Sequence, residues 1–98
     1  MASGNGHSCL IDTVGTVSCW GKNESGQSDV PMSLGIAVSL DVSWSHSCAI
    51  EYGGNVVCWG ENEEGQTDVP NDLGAVSKLS LGIDHSCAIR TDGEVICW

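Results

Sequence analysis

The sequence predicts an all-β chain built from repeated antiparallel units, each of about four short strands. Three observations predict it. A 39-residue period runs along the chain, β-prone runs are separated by turn signals at close intervals, and no window carries helical periodicity.

The period is read from two motifs. His7-Ser8-Cys9, His46-Ser47-Cys48 and His85-Ser86-Cys87 are spaced by 39, and so are Cys19-Trp20, Cys58-Trp59 and Cys97-Trp98. Segments 21–59 and 60–98 align without a gap, and about half of the aligned positions are identical. The chain therefore divides into a half repeat over residues 1–20 and full repeats over 21–59 and 60–98, one array with no separate domains.

Each unit supplies its own strand signals. Ser86-Cys87-Ala88-Ile89 is a β-prone run, Thr91-Asp92-Gly93 a turn signal, and Glu94-Val95-Ile96-Cys97-Trp98 a second β-prone run, so the three form a hairpin. The other copies repeat it, with turns at 12–15 and 52–55. The Asn-Glu-x-Gly-Gln segment reads as a loop. Asp-Val-Pro follows as a short edge or connector, because proline cannot sit in a central strand. Residues 36–42 and 75–81 supply a further strand per unit.

A three-residue hairpin turn places Cys87 opposite Cys97, with 88/96, 89/95 and 90/94 in register between them. Opposed positions in an antiparallel pair approach to about 4.5–5.5 Å between Cα atoms, within disulfide range. The same register pairs Cys9 with Cys19 and Cys48 with Cys58. The expectation is three identical local bridges, which implies an oxidising compartment or secretion. Two alternatives stay open at this point. One is free thiols; the other is a metal site, with His46, Cys48 and Cys58 on one strand face as an incomplete zinc set. If the bridges form, the histidines are structural hydrogen-bonding residues at strand starts.

Composition excludes several classes. With 98 residues the chain is one small domain at most, which needs staples beyond its core. The net charge is −10, and Lys22, Lys78 and Arg90 do not make a phosphate-binding stripe, so neither nucleic acid nor an anionic membrane is an expected partner. No apolar run approaches the ~20 residues of a membrane span. Met1-Ala2-Ser3 does not read as a charged and apolar leader. There is no phosphate loop, nucleophile elbow or HExxH motif, so an enzyme, a cofactor and a resident metal are not expected. The acidic segment 61–64 with Asp68 lacks the alternate spacing of a calcium loop and reads as solvated surface.

The string Gly-x-x-His-Ser-Cys-Ala, then Asp-Gly-x-Val-x-Cys-Trp-Gly-x-Asn-x-x-Gly-Gln-x-x-Val-Pro, resembles the repeat of the regulator of chromosome condensation superfamily. It is most similar to the compact secreted bacterial branch, which includes a propeller-type β-lactamase inhibitor. WD repeats are the runner-up by length, but here the tryptophan precedes glycine. The resemblance implies four-stranded blades arranged in a ring of seven. Two and a half repeats do not close such a ring, so this chain is expected to be part of a β-propeller completed by other chains. It holds three hairpins but two intervening segments, so head-to-tail assembly is expected to leave an unmatched half-unit at each junction. The acidic charge and short repeats set chromatin binding and GTPase exchange aside, and the cysteine pair departs from the inhibitor's pattern.

The functional reading comes from where the copies differ. The loop before each histidine reads Gly4-Asn5-Gly6, Ser43-Trp44-Ser45 and Gly82-Ile83-Asp84. In the resembling propellers this loop lies at a ring face where partners dock, so Asn5, Trp44, Ser45, Ile83 and Asp84 are the candidate partner-binding residues. Trp20, Trp59 and Trp98 recur in register and are expected to pack. The expected function is a non-catalytic protein-binding module. The alternatives are a propeller fragment whose main property is self-assembly into a homo-oligomer, and a lectin-like sugar binder using Trp44 and loop carboxylates. Asn23-Glu24-Ser25 is an N-glycosylation sequon with no counterpart in the next copy.

Overall fold

The hairpin signals place two strands per repeat, and the 36–42 and 75–81 runs place a third beside them. The computed structural model, which describes residues 2–3, 6–21, 23, 26–31, 34–70, 73–83 and 85–98, has nine strands in this pattern. They are β1 (Ala2–Ser3), β2 (His7–Ile11), β3 (Val17–Gly21), β4 (Ala37–Val42), β5 (His46–Glu51), β6 (Val56–Gly60), β7 (Val76–Leu81), β8 (Ser86–Arg90) and β9 (Val95–Cys97). They form three antiparallel sheets, β1-β2-β3, β4-β5-β6 and β7-β8-β9. No helix among the described residues is long and apolar enough to cross a membrane.

Two details differ from the sequence reading. The first hairpin gains a strand, since Ala2 pairs with Cys9 and Ser3 with Ser8. The described strands number three per sheet, because Asp29-Val30-Pro31 and Asp68-Val69-Pro70 stay outside the ladders as connectors. Their prolines have no N–H to offer a sheet edge. Their valines instead pack inward against the cores.

The hairpin register is the expected one. Cys87 faces Cys97, Ala88 faces Ile96 and Ile89 faces Val95. At the turn, Arg90 N–H donates to the Glu94 carbonyl at 2.8 Å and Gly93 N–H to the Arg90 carbonyl at 2.9 Å. Gly93 has φ +91°, a conformation that side-chain-bearing residues rarely adopt. All six cysteines are bridged, Cys9–Cys19, Cys48–Cys58 and Cys87–Cys97, with Cα atoms 4.0–4.1 Å apart. The zinc set of His46, Cys48 and Cys58 therefore does not form.

The sheets stand side by side. β4 lies against β1 and β7, while β2 and β5 face the first strand of the following sheet. Period-two alternation sends the two faces of each middle strand to different neighbours. On β5, Ala49 joins Val17, Ala37 and Trp59 in one core, while Ile50 joins Leu73, Val76 and Ala88 in the next. The first strand of each following sheet is tied to the preceding hairpin turn. Ala37 N–H donates to the Gly15 carbonyl at 2.9 Å, and Val76 N–H to the Gly54 carbonyl at 3.0 Å.

Candidate functional site

The recurring His-Ser-Cys, Gly-Gln and Cys-Trp residues meet between sheets. At the first joint, His7 Nε2 lies 2.9 Å from Ser47 Oγ of the next sheet. Ser47 Oγ–H donates to the Gln27 carbonyl at 3.1 Å, and Trp59 Nε1–H donates to the same carbonyl at 3.0 Å. A carbonyl only accepts, so the serine hydrogen is committed to it and His7 Nε2 must carry the proton that serine accepts. At the second joint, His46 Nε2 lies 3.0 Å from Ser86 Oγ, Ser86 donates to the Gln66 carbonyl at 2.8 Å, and Trp98 Nε1–H donates there at 3.0 Å. In the first two motifs the histidine and cysteine face the following sheet, and in the second and third the serine faces the preceding connector.

This node is buried. His7, His46, Ser47, Ser86, Gln27 and Gln66 are all at most 2% exposed. Burial lowers the His7 pKa below its ordinary value by desolvating the charged form. His7 Nδ1 has no hydrogen-bond partner among the described residues, so a second ring proton has nowhere to go. His7 and His46 are thus the structural residues the sequence suggested, whereas His85 is exposed. The buried glutamines were missed, read only as loop; their recurrence in register was the available signal.

The Asn-Glu-x-Gly-Gln loops have internal order. Asn23 Oδ1 accepts from Ser28 N–H at 2.9 Å and its Nδ2–H donates to Asp29 at 2.9 Å. Asn62 repeats both bonds with Thr67 and Asp68. In the sequon, Glu24 and Ser25 lie outside the described residues. Among the described residues, no three His, Cys, Asp or Glu side chains are placed to hold a metal ion.

The proposed docking residues occupy the β4–β5 and β7–β8 loops. Trp44 is 52% exposed and Ile83 is 53% exposed, while Ser45 is half-buried. Ser43 is buried, and its hydroxyl donates to the Gly82 carbonyl, which links the two loops across the joint. The Ser45 carbonyl accepts from Glu61 N–H at 2.9 Å. Asn5 and Asp84 lie outside the described residues. Of the repeated tryptophans, Trp59 is 6% exposed and Trp98 half-buried, but Trp20 is 46% exposed. Trp20 departs from the packing expectation: among the described residues no sheet stands against its outward side.

Shallow grooves recur beside each connector. One of about 430 Å³ is lined by Val17, Val30, Pro31 and Leu34 among others, and one of about 270 Å³ by Val56, Val69, Pro70 and Leu73. The described residues lining them carry no titratable side chain.

Antiparallel sheets set side by side, first strands adjacent and joints tied by one repeated node, define a segment of a β-propeller. Solved propellers show the same arrangement. The chain superposes on Prp20p from Saccharomyces cerevisiae with a TM-score of 0.85 at 16% identity, covering 98% of this chain and 32% of that one. Human WBSCR16 gives a TM-score of 0.83 at 23% identity, with 97% and 32% coverage. The ectodomain of the Arabidopsis thaliana receptor kinase ACR4 gives 0.76 at 27% identity, with 99% and 34% coverage. This chain spans about a third of the length of each. The regulator of chromosome condensation (RCC1) repeat matches residues 1–27, 37–66 and 76–98, so the chain belongs to the RCC1 repeat family. No curated protein matches it in sequence. The three disulfides are compatible with an oxidising compartment.

Proposed function

We propose that the chain is a non-catalytic protein-binding module of a secreted, disulfide-stapled propeller, akin to the compact secreted branch of the family. The observation that carries this reading is the pair Trp44 and Ile83. They occupy equivalent repeat positions in neighbouring loops, each is more than half exposed, and the part-buried Ser43–Gly82 hydrogen bond joins their loops. Exposed apolar side chains on a rigid support suit protein recognition, where aromatic anchors dominate binding energy. Two comparisons support it. Prp20p is a propeller described by its binding to Gsp1p and histones, and the ACR4 propeller belongs to a receptor ectodomain. Asn5 and Asp84 extend the same surface by repeat position. The test is capture of a protein partner by the wild-type chain and by the Trp44→Ala, Ile83→Ala double variant. The expected outcome is loss of capture with the fold intact; unchanged capture removes these loops from the site.

A second reading, association of the chain with itself, has its own observation. Trp20, Ile89 and Val95 are 46%, 39% and 59% exposed on the two terminal sheets, while their counterparts Trp59, Ile50 and Val17 are 6%, 2% and 7% exposed inside the joints.

A further inference from the structure

The Trp44 loop lies at one end of its sheet, and the hairpin turn lies at the other. β4 and β5 run antiparallel, with Val42 paired to Ser47 beside the Trp44 loop and Ala37 paired to Glu51 at the opposite end. At that opposite end of the first joint three elements meet: the β2–β3 turn, residues 34–36 ahead of β4, and the β5–β6 turn. Ala37 N–H donates to the Gly15 carbonyl, and Tyr52 N–H donates to the Ile36 carbonyl at 2.7 Å. The groove of about 430 Å³ opens here over Val17, Val30 and Leu34, with Val14 and Ile36 in its walls. Val14, Ile36 and the adjacent Tyr52 are each 60% exposed or more.

The next joint is built on the same positions and lacks these side chains. One period on, Val14, Ile36 and Tyr52 become Gly53, Ala75 and Thr91, and the groove shrinks to about 270 Å³. Apolar residues that fill the cores recur in both copies, as Val17 and Val56 do, or Leu34 and Leu73. The large exposed set occurs once, so packing of the repeat does not account for it.

Charge differs between the two grooves as well. Asp12 Oδ1 accepts from the Val14 and Thr16 N–H groups at 3.0 Å each, and Glu51 Oε2 accepts from Gly35 N–H at 2.6 Å. Val14, Thr16 and Gly35 all line the larger groove, so each of the two sheets fixes a carboxylate at its edge. Neither carboxylate has a cationic partner among the described residues. One period on from Glu51 stands Arg90. Its guanidinium lies over Gly74 of the smaller groove and pairs with Asp92 and Glu94.

We propose that the larger groove binds a segment of a partner polypeptide in which an apolar side chain is flanked by lysine or arginine. The apolar side chain covers Val14, Val30 and Ile36, and the cations meet Asp12 and Glu51. Charge complementarity selects this occupant. The groove sets apolar walls between two carboxylates, on a chain of net charge −10. A second copy of the chain fits less well, because it brings the same two carboxylates to the contact. Backbone hydrogen bonds hold the walls before the partner arrives, which lowers the ordering cost of binding. This surface is separate from the Trp44 and Ile83 loops and goes beyond the reading built on them.

Fluorescence anisotropy with a short labelled peptide of alternating lysine and leucine tests this. Two counterpart peptides carry glutamate in place of lysine, or serine in place of leucine. The lysine–leucine peptide should bind the chain about tenfold more tightly than either counterpart. Asp12→Asn with Glu51→Gln keeps the acceptor oxygens for the three N–H groups and removes both charges; it should weaken binding about tenfold. Ile36→Ala installs the residue of the next copy and should weaken binding about fivefold. Glu63→Gln with Glu64→Gln removes the same charge from an exposed loop and should leave affinity within about twofold, as should Trp44→Ala with Ile83→Ala. No preference for the lysine–leucine peptide overturns the proposal. So does equal weakening in the two charge-removed variants, which would make the binding a property of net charge. Loss of binding in the Trp44 and Ile83 variant moves the site to those loops and overturns it as well. Affinity that falls as the chain is concentrated, with dimers in light scattering that Ile36→Ala abolishes, assigns the groove to a second copy instead.

Discussion

Ser47 and Ser86 each serve two partners across a sheet joint, and that double use makes them sensitive positions. Ser47→Ala leaves the buried His7 Nε2–H without its acceptor and removes one of two donors from the Gln27 carbonyl. Loss of a partner from a buried polar group costs about 1–3 kcal/mol, so Ser47→Ala should lower the unfolding free energy by that amount with the disulfides still formed. A denaturant midpoint unchanged from wild type would show that the node is ornamental. The same geometry gives a pH dependence. The His7 pKa is lowered in the folded chain by desolvation. The unfolded chain therefore takes up a proton first as pH falls through the ordinary value near 6.5, and the folded chain follows only at lower pH. Stability is full above that value, declines below it, and levels off beneath the folded pKa. Thermal melts between pH 8 and about pH 5 should show the decline, and His7→Gln should flatten part of it. A slope identical in His7→Gln would assign the effect to other groups.

At the scale of the hairpin, the turn and the bridge act together. Gly93 has positive φ and open space, with nothing within 4 Å of where a Cβ would stand. Gly60 has φ +110°, and a Cβ there would lie 2.5 Å from the Ser45 carbonyl oxygen and 2.9 Å from His46 Cα. Gly93→Ala should cost about 1–2 kcal/mol from the backbone alone. Gly60→Ala should cost clearly more, because backbone must shift at the strand end that carries His46. Equal midpoints for the two variants would contradict this packing. The double change Cys48→Ser, Cys58→Ser opens a loop of separation 10 and should remove about 2–3 kcal/mol. Mass measurement before and after reduction should show a gain of six hydrogens for the three bridges. The hairpins and their bridges were legible in the sequence because period, turn chemistry and opposed cysteines all fix one register. β1 was not, since a two-residue strand carries no pattern of its own. The connectors were half legible: proline announced the absence of a ladder, but nothing local showed that Val30 and Val69 fill the cores.

The whole molecule behaves as a short one-dimensional array, and Trp20 shows why this scale is hidden from local reading. Its motif is identical to that of Trp59, yet its exposure is set by a neighbour that Trp59 has and Trp20 lacks. In such an array, stability is a sum of unit terms and joint terms, so a unit with two joints outlasts a unit with one. β5 is buried along nearly its whole length on both faces, whereas β8 and β9 keep exposed positions on the outward side. Amide hydrogen exchange at low concentration should therefore be slowest in β5 and β6 and faster in β2–β3 and β8–β9, where opening breaks one joint and not two. The disulfides do not reverse this order, because each sheet has one and the terms cancel in the comparison. Uniform protection across the three sheets at low concentration would mean that the chain opens as a single cooperative unit and that its joints are not separable terms.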